Sequence, residues 1–304
     1  MSNVLDRNVP LRIATRRSDL ALWQANWVRA RLGELGHAAE LVLIDTQGDR
    51  TQDDGTPFRL MPGQGFFTKA VQDAVAEGRA DVAVHSHKDL PSARMAGLEL
   101  AAVSSREDPR DVLLTLPAAF DPDAPALPLR LGASVGTSAA RRRAQLLHLR
   151  PDLGVAELRG NVPTRVRKLR DGGYDAVVLA AAGLKRLELD LSGLEVRFLE
   201  PHLFVPAPAQ GALALEVRDT DYDLASLLTD LHDPAAYKAV AAERGLMAML
   251  EGGCQLALGA HAVLEGGVIE LTAWYEGQKI TVSETSSENV AMLAFGALGR
   301  PTPV

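Results

Sequence analysis

The chain has 304 residues, 47% hydrophobic and 23% charged, with a formal net charge of −7 at pH 7, which is the composition of a globular protein with room for two or three domains. No apolar run is long enough to span a bilayer, residues 1–10 lack the apolar core of a signal peptide, and a single cysteine precludes an internal disulfide; the compartment expected from this is the cytoplasm. Charge is unevenly spread: residues 130–186 hold twelve Lys and Arg against four Asp and Glu, a local balance of +8 that leaves −15 for the rest, which points to a focused anion site rather than a uniformly basic nucleic-acid surface.

Residues 11–16 read as a short strand ending at Arg16, and Ser18 is a good cap for the helix after it. Leu20, Trp23, Trp27 and Ala30 are spaced three and four apart, so they are expected to form that helix's core face, with both Trp as packing. Residues 40–45 are a second strand. A loop over about 46–65 follows, with Gly48, Gly55, Gly63, Gly65 and two prolines, a length typical of lids and disordered segments. Phe67, Val71, Ala74 and Val75 mark a helix stopped near Gly78. Residues 81–85 are a buried strand running into Ser86-His87-Lys88-Asp89-Leu90-Pro91, and 98–104 another, leading to Arg106-Glu107-Asp108-Pro109-Arg110-Asp111. Alternating strands and helices predict an α/β domain with parallel pairing, whose ligand crevice lies beyond the carboxyl ends of the strands. Arg16-Arg17-Ser18 and Ser86-His87-Lys88-Asp89 both stand at such ends.

Residues 120–128 contain three prolines and read as a surface loop. A second α/β unit follows. It has a strand at 131–136, a helix starting at Thr137-Ser138 and running over 139–149, and a strand at 155–159. Next come a helix capped by Asn161 with Pro163 in its first turn, and a strand at 174–180 followed by Leu184-Lys185-Arg186. Residues 205–211 have the look of a linker returning toward the first domain. Helices at 223–232 and 235–250, strands at 261–264, 268–275 and 279–284, and a helix at 288–298 make a small α+β third domain. The division expected is 1–104 with 206–229, then 105–205, then 230–304.

Arg16, Lys88, Arg106, Arg141, Arg142, Arg159, Arg165 and Arg186 all stand at loop or helix-start positions. A guanidinium binds a carboxylate through two parallel hydrogen bonds, and Gly136-Thr137-Ser138 ahead of a helix adds backbone donors. The set suits a ligand with many carboxylates or phosphates; the competing reading is a group of solvated surface cations, to which Arg143, Arg150, Arg167 and Lys168 are assigned. Asp89 is either a turn residue or a carboxylate that stabilises a cationic intermediate or passes a proton. His85 and His87, two apart on a strand, are expected to face the same way, but further ligands are lacking and no metal is expected. Cys254, the only cysteine, follows Gly252-Gly253 just past a helix. It is inert packing, a free thiol or an attachment point.

Taken together, these blocks resemble the porphobilinogen deaminase, or hydroxymethylbilane synthase, family. The similar segments are Leu11-Arg12-Ile13-Ala14-Thr15-Arg16 with Ser18 and Leu20-Ala21-Leu22-Trp23-Gln24-Ala25, then Val84-His85-Ser86-His87-Lys88-Asp89-Leu90-Pro91, then Arg106-Glu107-Asp108-Pro109-Arg110-Asp111. They continue with Val135-Gly136-Thr137-Ser138 and Arg141-Arg142, Leu158-Arg159-Gly160-Asn161 and Thr164-Arg165, Ala182-Gly183-Leu184-Lys185-Arg186, and Leu250-Glu251-Gly252-Gly253-Cys254-Gln255. The resemblance implies two similar α/β lobes like those of type II periplasmic binding proteins, plus a small α+β C-terminal domain with a three-stranded antiparallel sheet. It implies a cytoplasmic monomer that joins four porphobilinogen molecules head to tail into hydroxymethylbilane, losing ammonia each time, in tetrapyrrole (haem) biosynthesis. The primer would be a dipyrromethane held as a thioether on Cys254, whose thiolate traps an electrophilic azafulvene.

By the same resemblance Asp89 and Lys88 are catalytic. Ser86, Lys88, Asp89, Thr137, Ser138, Arg141, Arg142, Arg159 and Gly160 bind the cofactor, and Arg16, Ser18, Gln24, Arg159, Arg165, Arg186 and Gln210 bind substrate. The first domain carries catalysis, the second substrate carboxylates, the third the attachment point. No nucleic acid, membrane or metal is implied. The chain departs from the family pattern at Leu60 and Gln64, where lysines are common, with Arg59 one residue away, and at Ala139, Val162-Pro163 and Pro208-Ala209. Two other classes compete. A solute-binding protein would leave Cys254 without a role, and a nucleic-acid binder would need stacking aromatics, of which residues 130–186 hold only Tyr174.

Overall fold

In the computed structural model, which describes residues 9–46, 68–250 and 256–299, side-chain alternation along β1 (Leu11–Arg16) sends Leu11 and Ile13 to one face of a sheet and Ala14 to the other. β3 (Val82–Ser86) does the same, with Val82 and Val84 on the first face and Ala83 on the second. The first face is covered by α1 (Asp19–Glu34) and α6 (Tyr222–Leu228), the second by α2 (Lys69–Ala76). Ser18 caps α1 as expected, its hydroxyl accepting from the Ala21 N–H at 3.4 Å. The buried face of α1 is Gln24, Ala25, Val28 and Leu32 rather than Leu20, Trp23, Trp27 and Ala30. Small Ala25 and Val28 let the helix sit close on the strands, and the bulkier Trp27 packs at the edge of that contact.

The sheet order is β2-β1-β3-β10-β4, with β2 at Ala39–Ile44, β4 at Leu98–Val103 and β10 at Leu213–Arg218. β1 runs parallel to β2 and β3, whereas β10 is antiparallel to both β3 and β4. The expectation of parallel pairing therefore holds for three strands only. β10 was not foreseen, because a six-residue, almost wholly buried run has no amphipathic period.

A second sheet repeats the pattern. Its order is β7-β6-β8-β5-β9, formed by Gly154–Ala156, Ser134–Gly136, Ala176–Ala180, Asp111–Thr115 and Glu195–Leu199. β6 is parallel to β7 and β8, and β5 is antiparallel to β8 and β9. β5 and β9 are additions to the sequence reading, and β6 is shorter than expected because Leu131 sits 84% exposed in a turn. α3 (Ala140–Leu149) packs on one face through Leu146; α4 (Val162–Arg170) and α5 (Ala181–Leu187) pack on the other through Val166, Leu169 and Leu184. Asn161 caps α4, accepting from the Thr164 N–H at 3.0 Å. Arg150, assigned above to the solvated surface, is buried: its Nη1 donates to the carbonyls of Leu127 and Leu129 at 3.0 Å each, and its Nε to Asp152 at 2.7 Å. It satisfies loop carbonyls that would otherwise be stranded.

β11 (Gly259–Glu265), β12 (Val268–Tyr275) and β13 (Gln278–Glu284) form a three-stranded antiparallel sheet, with α7 (Pro234–Met249) and α8 (Ser287–Ala297) contributing to its core. Both its hairpins turn on two residues with positive φ, Gly266-Gly267 and Glu276-Gly277, the twist-matching geometry of tight hairpins. The chain divides into two compact units, Met1–Glu107 with Gly211–Tyr237 and Asp108–Gln210 with Lys238–Val304. Residues 205–211 lead from the second unit back to the first, which resumes at Gly211. All but Ala207 are buried, and the Ala209 N–H donates to the Glu243 carboxylate at 2.6 Å. Gly211 has φ +97°, and a Cβ there would overlap the Glu107 carbonyl, so only glycine fits. Among the described residues no helix is long and apolar enough to cross a membrane.

Asp81, just ahead of β3, accepts from Arg12 through its backbone N–H, Nε and Nη2 at 2.9, 3.1 and 2.8 Å, and from Arg218 at 3.4 Å. Burial alone would raise its pKa, but the bonds from Arg12 more than offset that and hold the carboxyl below its ordinary value. Its contribution to stability is thus full above the unfolded carboxylate pKa of about 3.9 and is lost as pH falls through the lower folded value. Melting temperature measured from pH 7 downward should drop less steeply below about pH 4 in Asp81→Asn than in the parent. Identical acid limbs would mean that Asp81 contributes nothing to the pH dependence.

Candidate active site

The strands of a parallel set end on one edge, and that edge collects the candidate residues of the first unit. Arg16 closes β1, and Ser86 closes β3. Beyond Ser86 the chain tightens into a 3-10 turn, His87–Asp89, with the Leu90 N–H bonded to the His87 carbonyl at 3.3 Å. Lys88 and Asp89 are therefore half-buried in a turn, not on a strand. Ala212, the residue ahead of β10, holds that turn in place, its carbonyl accepting from the His87 N–H at 3.0 Å. Gln24 reaches across from α1, its Nε2 donating to Ser86 Oγ at 2.8 Å. The structure thus brings Gln24 and Ser86 together, which no local pattern indicated.

His85 and His87 do not share a strand face, because β3 ends at Ser86. His85 points to the α2 side, where its Nε2 lies 3.2 Å from Glu216, and Gln72 donates to both oxygens of the same carboxylate at 2.9 and 3.2 Å. All three are buried, a polar brace beneath the Ser86–Asp89 segment. Among the described residues no group of three His, Cys, Asp or Glu side chains converges as a metal site would require.

In the second unit Thr137 and Ser138 follow β6, Arg159 and Gly160 follow β7, Arg141 and Arg142 stand in the first turn of α3, Arg165 in the first turn of α4, and Arg186 in the last turn of α5. Thr137 and Ser138 lie outside α3, which begins at Ala140. Thr137 Oγ1 accepts from the Ala139 N–H at 3.2 Å, and Ser138 Oγ donates to the Leu158 carbonyl at 2.5 Å. Arg165 Nε donates to the Gly160 carbonyl at 2.7 Å, and Arg159 pairs with Glu157 at 3.0 Å. Arg186 is buried.

Arg141 and Arg142 occupy the first turn of α3, where the helix dipole disfavours cations and where no acidic residue stands. Both are buried, and one carboxylate lies between them. Asp111, the first residue of β5 and completely inaccessible, accepts from Arg142 Nη2 and Nε on Oδ1 at 2.8 and 3.1 Å, and its Oδ2 forms an ion pair with Arg141 Nη1 at 2.8 Å. Arg141 Nη1 also donates to the Val205 carbonyl and Arg142 Nη1 to the Val178 carbonyl, each at 2.8 Å. Gln210 donates to Asp111 Oδ1 at 3.0 Å. Burial pushes the Asp111 carboxyl upward, but the two guanidiniums outweigh it and hold the group far below the usual carboxylate range. Burial lowers the Arg141 pKa, and Asp111 offsets that only in part. Two buried cations thus share one buried anion. Arg141 Nε has no hydrogen-bond partner among the described residues.

Asp111 ends the segment Arg106-Glu107-Asp108-Pro109-Arg110-Asp111, and no local pattern marks it as a site residue beyond its opening the apolar run Val112-Leu113-Leu114 with an acidic side chain. Cys254 with Gly252 and Gly253, and Arg59, Leu60 and Gln64, lie outside the described residues.

Comparison with known proteins agrees across nearly the whole chain. The family model described as "Porphobilinogen deaminase, dipyromethane cofactor binding domain" matches residues 11–226, and the one described as "Porphobilinogen deaminase, C-terminal domain" matches 237–290. The porphobilinogen deaminase of Pelobacter propionicus is 44% identical over 281 residues, 91% of this chain and 87% of that one. That of Syntrophotalea carbinolica is 48% identical over 257 residues, 84% and 78% of the two chains. Among solved structures, the BvgS periplasmic VFT2 domain of Bordetella pertussis is similar at a TM-score of 0.43 and 18% identity, covering 75% of this chain and 88% of that one. Two family models adjoining in chain order, and relatives matched nearly end to end, make this chain a member of the porphobilinogen deaminase family.

Proposed function

We propose that the chain performs the family reaction with the residues gathered on its two sheet edges. It is a transferase that joins four porphobilinogen molecules head to tail into hydroxymethylbilane, with release of ammonia at each addition, on a dipyrromethane primer. The observation that carries the assignment of residues is the buried cluster in which Arg141 and Arg142 share Asp111 as their one acidic partner among the described residues. It retains a net positive charge, and the Arg141 Nε is without a hydrogen-bond partner among the described residues. A buried cation in excess of its counter-ions is costly unless an anionic ligand completes it. A dipyrromethane built from two substrate units, each bearing an acetate and a propionate, is such a ligand, so the residues fit the group.

When bound, the dipyrromethane supplies the pyrrole carbon to which substrate is added. Arg141 and Arg142 hold carboxylates, with Thr137, Ser138, Arg159 and Gly160 on the same edge of the sheet. Cys254 is the attachment point. Arg16, Ser18, Arg165 and Arg186 serve the side chains of incoming substrate. Asp89 is the catalytic residue: its carboxylate stabilises the positive charge that develops on the substrate as the aminomethyl nitrogen leaves as ammonia. Lys88 stands beside it in the same turn. Gln24, through Ser86, and Ala212, through His87, keep that turn fixed, which is the preorganisation such stabilisation requires. The first lobe thus carries catalysis, the second carboxylate binding and the C-terminal segment the attachment point. A chain with one cysteine, unable to form an internal disulfide, fits a cytoplasmic location.

Intact-mass spectrometry tests the attachment. The parent protein should exceed its sequence mass by two pyrrole units, and Cys254→Ser should lack the addition and be inactive. A fully active parent of unmodified mass would exclude the covalent primer.

Asp89→Asn keeps the size of the side chain and removes its charge. Turnover should fall by roughly a hundredfold or more, the scale of losing one strong electrostatic group at a reacting centre, with the protein still folded. Melting temperature and bilane formation are to be measured on the same sample. Early melting with normal turnover per folded molecule would make Asp89 a turn residue only.

A further inference from the structure

We infer that Asp111, with Gln210 behind it, is a positioning residue that holds Arg141 and Arg142 as a preformed carboxylate clamp for the primer. This rests on the reading of those arginines given above. Asp111 is completely inaccessible, so it acts on a ligand only through the groups it touches. Its Oδ1 is taken by Arg142 Nη2, Arg142 Nε and Gln210 Nε2 at 2.8, 3.1 and 3.0 Å, and its Oδ2 lies 2.8 Å from Arg141 Nη1. Gln210 is anchored in turn, donating to the Pro109 carbonyl at 2.7 Å.

Each guanidinium is also tied to a backbone carbonyl, Arg141 to Val205 and Arg142 to Val178. The Val205 carbonyl is no loose end. Gln145 Nε2 donates to it at 2.9 Å, and Gln145 Oε1 accepts from the Val205 N–H at 2.8 Å. Arg141 is therefore fixed through Nη1, while its Nε, on the opposite edge of the guanidinium, is uncommitted among the described residues. Side-on binding of a carboxylate uses that edge. Without Asp111, two adjacent cations in the first turn of a helix would repel each other and the helix end, and the pair would lose its common anchor.

Charge and position predict opposite outcomes for Asp111→Asn. Neutralising Asp111 raises the cluster's positive charge, so a purely electrostatic site would take up an anionic primer at least as fast. A clamp that depends on position would take it up more slowly. The test uses the full chain produced without access to porphobilinogen, then supplied with porphobilinogen, with primer uptake followed by intact mass.

Asp111→Asn should slow uptake about tenfold or more, the order expected for a misplaced binding group. Arg142→Met should slow it too, and the double variant should be no slower than the slower single one, since the two act as a unit. Slow uptake by Arg142→Met with uptake at the parent rate by Asp111→Asn would overturn the positioning role and leave the arginine reading standing. Parent-rate uptake by Arg142→Met would overturn the arginine reading and this inference with it. Should Asp111→Asn fail to fold, Gln210→Met removes one hold on Asp111 without changing charge. It should slow uptake about fivefold, the worth of one hydrogen bond, and uptake at the parent rate would overturn the role.

Discussion

An antiparallel strand set fourth in a sheet delivers its first residue to the edge where the parallel strands deliver their last. Both five-stranded sheets are built this way, and the candidate site follows from it. In the first sheet, β10 begins beside the end of β3, with Leu213 opposite Ser86, so its approach can bond the turn that carries Asp89. In the second, β5 begins beside the end of β8, with Asp111 opposite Ala180. The carboxylate arrives at the same edge as Thr137 and the start of α3. Had β5 run parallel to its neighbours, Asp111 would lie at the far edge of the sheet, away from Arg141 and Arg142.

The Asp111 cluster is a poor device for stability. At an effective dielectric of about 20, a pair of unit charges about 4 Å apart gains roughly 4 kcal/mol. One carboxylate between two guanidiniums gains twice, but the guanidiniums repel each other, and each ion has lost several kcal/mol of hydration. Apolar side chains of similar volume would hold α3 to β5 at least as well. Arg150 shows what the same residue type does when its task is structural. It sits at the other end of α3, bonded to two loop carbonyls and paired with Asp152, with no cation left over. The surplus in α3 lies at its first turn, with Arg141 and Arg142. Stability there is exchanged for a fixed positive site.

What the amino-acid sequence determined by itself was what short-range physics controls. The caps Ser18 and Asn161 worked as their side chains predicted, the tight hairpins of the third sheet fell at their glycines, and the positions beyond β1 and β3 were placed at a ligand-facing edge by alternation alone. The charge of residues 130–186 pointed to an anion site, and the motif blocks carried the family. The tertiary structure decided the partners. Asp111 and Gln210, or β3 and β10, lie about a hundred residues or more apart, and a fully buried strand such as Val112-Leu113-Leu114 has no alternation to betray its place in a sheet. Three outcomes followed only from packing. Arg150 went inside, because loop carbonyls needed donors. Gln24, outside the face expected to be the core face of α1, met Ser86 at the end of β3. His85 and His87 parted company, because β3 ends at Ser86 and the chain turns at His87, whose N–H bonds the Ala212 carbonyl. In each case the deciding contact joins segments distant in sequence, and no local period records it.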